Sequence, residues 1–393
     1  MRRLLRLLVV GLLLLAPAAA SATTSDPLRS HQWGLDMIHA DEAHAVTSGA
    51  GAVVAVVDTG IDAAHPDLQG RVLPGYDLVS GDATPQDGQG HGTHVSGIIA
   101  ADASNGVGVD SVAPGAKILP IRVLDDNGSG SSAAVAAGID WATSHGADVI
   151  NLSLGGSIPL GGLGQESDID AAIERALAHN VVVVAAAGND SLPLCENNPF
   201  GGRVLCVGAV DRRGLRSFYS SFGEGVNILA PGGSSLPGTD EDILSTYNDG
   251  GYHYLAGTSQ ATPHVSGVAA LLASLGVHGQ AAVQRIVATA NAAGIVNAQA
   301  AVAGLARQEP ARVTFRSRQR IRTVLRHGIA ASCSPACTVR ATSNHRTIAR
   351  NTRLTRAGKR LLRAALKRHR TLHAAVTITL DGAKLKRKLR LVP

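Results

Sequence analysis

Runs of apolar, largely β-branched residues recur along the first three-quarters of the chain. Residues 52–58 (AVVAVVD), 117–124, 148–154, 181–187 and 204–210 share this pattern, which suits strands buried on both faces. Between them, and again after the last, lie stretches with helical spacing of apolar positions, at 92–101, 131–145, 168–180 and 262–275. Strands alternating with helices predict a mainly parallel sheet covered on both sides, an α/β domain of three layers. Past residue 310 the pattern changes. Apolar residues alternate with basic ones in ARVTFRSRQRIRTVL, CTVRAT, AAVTITL and KLKRKLRLV, the period of half-exposed strands. A more helical stretch lies within 350–367. A small β-rich C-terminal domain is expected there.

The two ends sharpen this division. Arg2, Arg3 and Arg6 precede an apolar run to about Ala16, followed by APAAASA. A basic start, a short apolar centre and small residues at the end predict a signal peptide over 1–22, cleaved after Ala20 or Ala22. The run falls short of the ~20 apolar residues a membrane span needs, so a secreted, extracellular protein is expected. From 308 to 393 there are 22 Lys and Arg against two acidic residues, Glu309 and Asp381, a formal net charge of +20. Residues 23–307 carry 11 basic and 28 acidic side chains, a net of −17. Opposite charge on the two sides of residue 308 marks a domain boundary. The four cysteines fall in two local pairs. In an exported chain an even count favours disulfides, here Cys195 with Cys206 and Cys333 with Cys337.

Three short segments carry chemistry: VVDTGID with Asp58, HGTHVSG with His91, and GTSQATPHVSG with Ser259. A serine hydroxyl becomes a useful nucleophile when an imidazole takes its proton and a carboxylate fixes the tautomer of that imidazole. The order Asp, His, Ser differs from that of α/β-hydrolases and of chymotrypsin-type proteases, and it is the subtilisin order. Bland readings fit less well. An aspartic protease needs a second DTG or DSG, and the sequence has none. His91 and His94 are spaced as a metal pair, but no third ligand with zinc-like spacing follows. The chain resembles a subtilisin-like serine protease, a subtilase, with a basic Arg-rich C-terminal module.

That resemblance implies a subtilisin-like peptidase domain over 23–307 and a secreted serine endopeptidase acting on proteins or peptides. Asn189, in VVVVAAAGND, is implied as the amide that donates to the oxyanion. Ser153, Leu154 and Gly155 on one side and Gly128, Ser129 and Gly130 on the other are implied as the edges that hold an extended substrate. Gly155 with the stretch containing Ala186, Ala187 and Gly188 would line a roomy apolar specificity pocket, favouring large apolar side chains. Asp67 and Asn105 match family calcium ligands, with Asp26 a candidate from the N-terminal segment. Calcium would be structural, and no cofactor is implied for catalysis. A monomer is expected. The basic module is read as a solvated accessory domain or as an adhesive for anionic cell-wall or surface polymers. Nucleic acid is not expected, because Phe315 is the module's single aromatic residue and base stacking needs several.

Overall fold

The computed structural model describes residues 26–393 apart from 104, 156–167, 196–199, 236–239, 306–311, 316, 335–337, 344–345, 351–352 and 381–382. By internal contacts the chain divides into two compact units, Met1–Arg307 and Gln308–Pro393.

Seven strands build the sheet of the first unit: β1 (Val53–Asp58), β2 (Tyr76–Asp77), β3 (Lys117–Arg122), β4 (Val149–Leu152), β5 (Val182–Ala186), β6 (Leu205–Val210) and β7 (Ile228–Pro231). Their order is β2-β3-β1-β4-β5-β6-β7, and every pairing is parallel. The apolar runs become β1, β3, β4, β5 and β6, and β4 to β6 are buried along their whole length. A hairpin of β8 (Ile243–Thr246) and β9 (Tyr252–Leu255) stands apart from this sheet.

The helices of this unit are α1 (Trp33–Met37), α2 (Ala40–His44), α3 (His91–Ala100), α4 (Ser132–Ser144), α5 (Asp168–Ala178), α6 (Thr258–Ser274), α7 (Gly279–Ala288) and α8 (Ala298–Val302). Two apolar cores lie on opposite faces of the sheet. One joins α3 and α6 to Val54 and Val56 of β1, and the other joins α4 and α5 to Ala55 and Val57. Successive side chains of a strand point to opposite faces, so this split is the three-layer arrangement expected from the sequence. Helix α6 starts four residues before the apolar spacing at 262, at the serine motif itself, where Ser259 is expected to open a helix, and Pro263 lies inside it. No described helix is long and apolar enough to cross a membrane.

The second unit contains β10 (Arg312–Phe315), β11 (Arg318–Arg320), β12 (Ala331–Ser334), β13 (Thr338–Ser343), β14 (Arg346–Arg350), β15 (Arg353–Leu354), β16 (Leu372–Leu380) and β17 (Ala383–Val392), with α9 (Ile321–His327) and α10 (Arg356–Lys367). Six of the strands form one sheet in the order β11-β17-β16-β13-β14-β15. Leu389 and Leu391 of β17 and Val376 and Ile378 of β16 are buried in a core shared with Ile321 and Val324 of α9 and Leu362 and Ala365 of α10. Lys386, Lys388 and Arg390 of β17 are exposed, as alternation requires. The run 321–325, read as strand from its alternation, is helical here because Ile321 and Val324 are spaced to bury one face of a turn. The Cys333 to Cys337 pairing lies outside the described residues.

Candidate active site

Asp58 is the last residue of β1 and is fully buried. His91 opens α3, and its Nδ1 lies 2.8 Å from Asp58 Oδ1. A carboxylate can only accept, so Nδ1 carries the hydrogen and Nε2 keeps a lone pair. Burial pulls the imidazole pKa down most, but the charge and hydrogen bond of Asp58 and the charge of Asp87 together raise it by more. The net shift is upward.

Asp87 ties the two elements together. Its Oδ1 accepts the Thr59 hydroxyl at 2.9 Å and the Gly90 N–H at 2.7 Å, and its Oδ2 accepts the Thr93 N–H and hydroxyl at 2.9 and 2.6 Å. Thr59 Oγ1 in turn accepts the Gly92 N–H at 2.9 Å. The turn after β1 is thereby stapled to the start of α3. The approach is close: a Cβ on Gly92 would collide with the Gly60 carbonyl oxygen, so only glycine fits. His94 lies one turn on. It is buried, its Nε2 donates to the Ile243 and His253 carbonyls at 3.1 and 3.0 Å, and burial pulls its pKa down to about 3. It joins α3 to the β8–β9 hairpin and forms no metal pair with His91.

Ser259 is the second residue of α6, where the opening turn leaves N–H groups without intrahelical partners. Its hydroxyl donates to the Ser153 carbonyl at 3.0 Å rather than to His91, and the Ser153 hydroxyl donates back to the Ser259 carbonyl at 2.9 Å. Pro263 explains the second bond. It stands four residues after Ser259 and has no N–H, so it leaves that carbonyl for Ser153 to fill. Asn151 and Ser266 complete the support: Asn151 Nδ2 donates to Ser153 Oγ at 2.9 Å, and Ser266 Oγ donates to Asn151 Oδ1 at 2.7 Å. Asn189 Oδ1 accepts the Thr258 N–H at 2.9 Å and the Thr258 hydroxyl at 3.0 Å. Its amide nitrogen is thus turned away from α6's opening residue.

His91, Ser259, Gly128 to Gly130 and Ser153 to Gly155 all line one open cleft of about 460 Å³. A second hollow of about 290 Å³ on the other side of His91 and Ser259 is lined by Asn189. Apart from His91, neither lining includes Asp, Glu, Lys, Arg or Cys among the described residues, and Tyr247 lies in the second. Ala186 and Ala187 are fully buried, and the Gly188 N–H donates to Thr258 Oγ1 at 3.3 Å. None of these three lines the cleft. The Cys195–Cys206 disulfide ties the loop after Asn189 to β6. Sequence reasoning missed Asp87, Asn151 and Ser266, whose roles depend on the long-range bonds of Thr59 to Asp87 and of Ser266 to Asn151.

Asp67 and Asn105 are also brought together. Asn105 Nδ2 donates to Asp67 Oδ1 at 2.8 Å, and the Val109 N–H donates to Asp67 Oδ2 at 2.9 Å. Asp26 Oδ1 accepts the Gly106 N–H of the same loop at 2.9 Å. Both carboxylates push the pKa of the Tyr252 hydroxyl upward, after burial as the main cause. A different trio, Asp41, His44 and Asp110, could hold a divalent ion, with potential ligand atoms all within 4.8 Å of one another.

Against known proteins, the model of the subtilase family matches residues 49–309. Thermitase of Thermoactinomyces vulgaris is 44% identical over 255 residues, spanning 65% of this chain and 86% of thermitase. Subtilisin DY of Bacillus licheniformis is 42% identical over 248 residues, 62% of this chain and 84% of that protein. A solved protease of Pseudoalteromonas arctica PAMC 21717 superposes with a TM-score of 0.65 at 36% identity, covering 72% of this chain and 99% of its own.

Proposed function

The chain belongs to the subtilase family and is a serine-type endopeptidase, and from that premise we propose the part each residue of the cleft plays in cutting a peptide bond. The observation that carries the reading is the 2.8 Å contact of His91 Nδ1 with buried Asp58, on a cleft shared with Ser259. A substrate lies extended between Gly128–Ser129–Gly130 and Ser153–Leu154–Gly155, bonded through its main chain. Its entry turns the Ser259 hydroxyl from the Ser153 carbonyl to His91 Nε2. Ser259 Oγ bonds to the scissile carbonyl carbon as its proton passes to Nε2. Asn189 Nδ2 and the Ser259 N–H receive the oxyanion. The C–N bond breaks as Nε2 returns the proton to the leaving amine, and water then hydrolyses the acyl-enzyme with the same base. Asp58 holds the tautomer and balances the imidazolium.

The apolar walls of the cleft, Leu124, Val135 and Leu154, support a preference for large apolar side chains. A loop that gathers buried Asp67 and Asp26 beside Asn105 offers carboxylate and amide oxygens, which suit calcium. Calcium there would fasten the N-terminal segment to the loop, once Asn105 presents its oxygen. The leader over 1–22 makes this a secreted enzyme, and N-terminal sequencing of mature protein starting at Ser21 or Thr23 would agree. The basic module holds it on anionic cell-wall polymers.

A fluorophosphonate probe tests the catalytic reading. Labelling confined to Ser259 and lost in Ser259→Ala is expected. Folded, mature protein that takes no label would instead be a peptide-binding protein that keeps the fold.

A further inference from the structure

Peptide hydrolysis uses no part of Asp41, His44 or Asp110, and none of them lines the cleft. Asp41 and His44 sit three residues apart on α2, and Asp110 comes from the loop after α3. Asp110 is 0% exposed. Its Oδ1 accepts the Ser111 N–H at 2.6 Å, while its Oδ2 has no hydrogen-bond partner among the described residues. Asp41 repeats the pattern. Its Oδ2 takes the Arg29 guanidinium at 3.0 Å, and its Oδ1 is buried without a partner among the described residues.

Two buried carboxylate oxygens without donors in one cluster are costly. The Arg29 nitrogen that meets Asp41 also meets Asp36, at 2.6 Å. Three carboxylates therefore face one guanidinium, an excess of two negative charges. Burial, with the Asp41 charge adding to it, pushes the Asp110 carboxyl up to about 6, against the pull of the Ser111 N–H, His44 and Arg29.

His44 adds the chemical identity. Its Nε2 lies 3.0 Å from the Val112 carbonyl. A carbonyl only accepts, so Nε2 carries the hydrogen and Nδ1 a lone pair. Metal-bound imidazoles are commonly oriented by such a bond. Gln32 fixes the Asp110 backbone from both sides, donating to its carbonyl and accepting its N–H, each at 2.8 Å.

We propose that Asp41, His44 and Asp110 form a structural site for a divalent transition metal of zinc-like chemistry. The imidazole separates this set from the all-oxygen set at Asp67, since calcium takes oxygen ligands whereas zinc accepts nitrogen with carboxylate. Asp41 is 28% exposed, which gives an ion a way in and water a coordination position. The metal fastens α2 to the loop that follows the helix of His91.

The test uses the tag-free full-length chain carrying Ser259→Ala to prevent self-digestion. It is stripped with chelator and titrated with Co2+ in excess Ca2+, read by calorimetry and by visible absorption. A single saturable equivalent with a d–d band and a raised Tm is expected. His44→Ala and Asp110→Asn should each weaken it by about 10- to 100-fold or more. Asp67→Asn should leave the titration unchanged. Circular dichroism identifies any variant that fails to fold, in which case the remaining one decides. The proposal is overturned if no saturable equivalent binds, or if binding is unchanged in the folded variants.

Discussion

At the scale of residues, the Asp58–His91 pair sets a pH dependence whose sign follows from its causes. His91 has a raised pKa because Asp58 and Asp87 together outweigh burial. Catalysis needs the neutral imidazole, so kcat/KM should rise from acid with a midpoint above the ordinary value of 6.5 and stay high in alkali. Asp58→Asn removes the carboxylate and leaves the burial. The midpoint should move down, and kcat should fall by about 10⁴-fold, the loss seen when the analogous bond is rewired in a serine protease. Stability runs the other way. The pair's contribution is complete below the unfolded imidazole value and is lost as pH rises through the folded one. A pH–rate profile of both proteins checks the first claim, and a midpoint unmoved by Asp58→Asn would refute it. Asn189→Ala should lower kcat by roughly 100- to 1000-fold with little change in KM, since the amide meets a charge that exists only in the transition state. The three motif residues were legible in the sequence because their neighbours are contiguous. Asp87 was not. Its partners Thr59 and Thr93 come from two motifs, with Gly90 just before the second, and a lone Asp before glycines reads as a turn.

At the scale of elements, the strands were legible because burial on both faces demands unbroken apolar runs. The opening of α6 at Ser259 was legible too, but not that Ser153 fills the Ser259 carbonyl that Pro263 leaves without an amide. That partnership makes a prediction. In Ser153→Ala the Ser259 carbonyl loses its donor and has no amide of residue 263 to replace it. Destabilisation by about 1–3 kcal/mol is expected, the cost of an unpaired buried acceptor. In Ser153→Ala with Pro263→Ala, the restored N–H of residue 263 can bond the Ser259 carbonyl, so the double variant should recover part of the loss. Denaturant unfolding of the four proteins, all carrying Ser259→Ala, gives the coupling energy directly. Additive effects would show that Ser153 and Pro263 act independently. The disulfide belongs to this scale too. Reduction of Cys195–Cys206, 11 residues apart, should cost about 2–3 kcal/mol by chain entropy, seen as a lower unfolding midpoint in reductant.

At the scale of the whole molecule, charge and function divide together. Every residue assigned to peptide hydrolysis precedes residue 308, and the core that buries α3 and α6 is built from residues 35–305. The second unit has its own core, and the sheet face opposite that core carries Lys386, Lys388 and Arg390 on β17, with exposed Arg318 and Arg320 on β11 and Arg340 on β13. The register sets Lys386 opposite Thr377 and Lys388 opposite Ala375, so short side chains lie between the rows of cations. A long polyanion can lie across such a face and gather many weak contacts, each screened beyond about 8 Å at physiological salt. The alternation of basic and apolar residues foretold this face, but not which residues would cover its reverse, since α9 read as strand. Truncation after Arg307 should therefore leave turnover of small peptides within about twofold of the full chain, since every residue assigned to positioning the reacting atoms is retained. The same truncation should abolish retention on a column of anionic cell-wall polymer, and the full chain should elute from that column as salt rises. A truncated protein that folds but loses turnover would make the basic unit part of the catalytic structure. Retention that survives truncation would move the adhesive surface to the acidic unit, where net −17 argues against it.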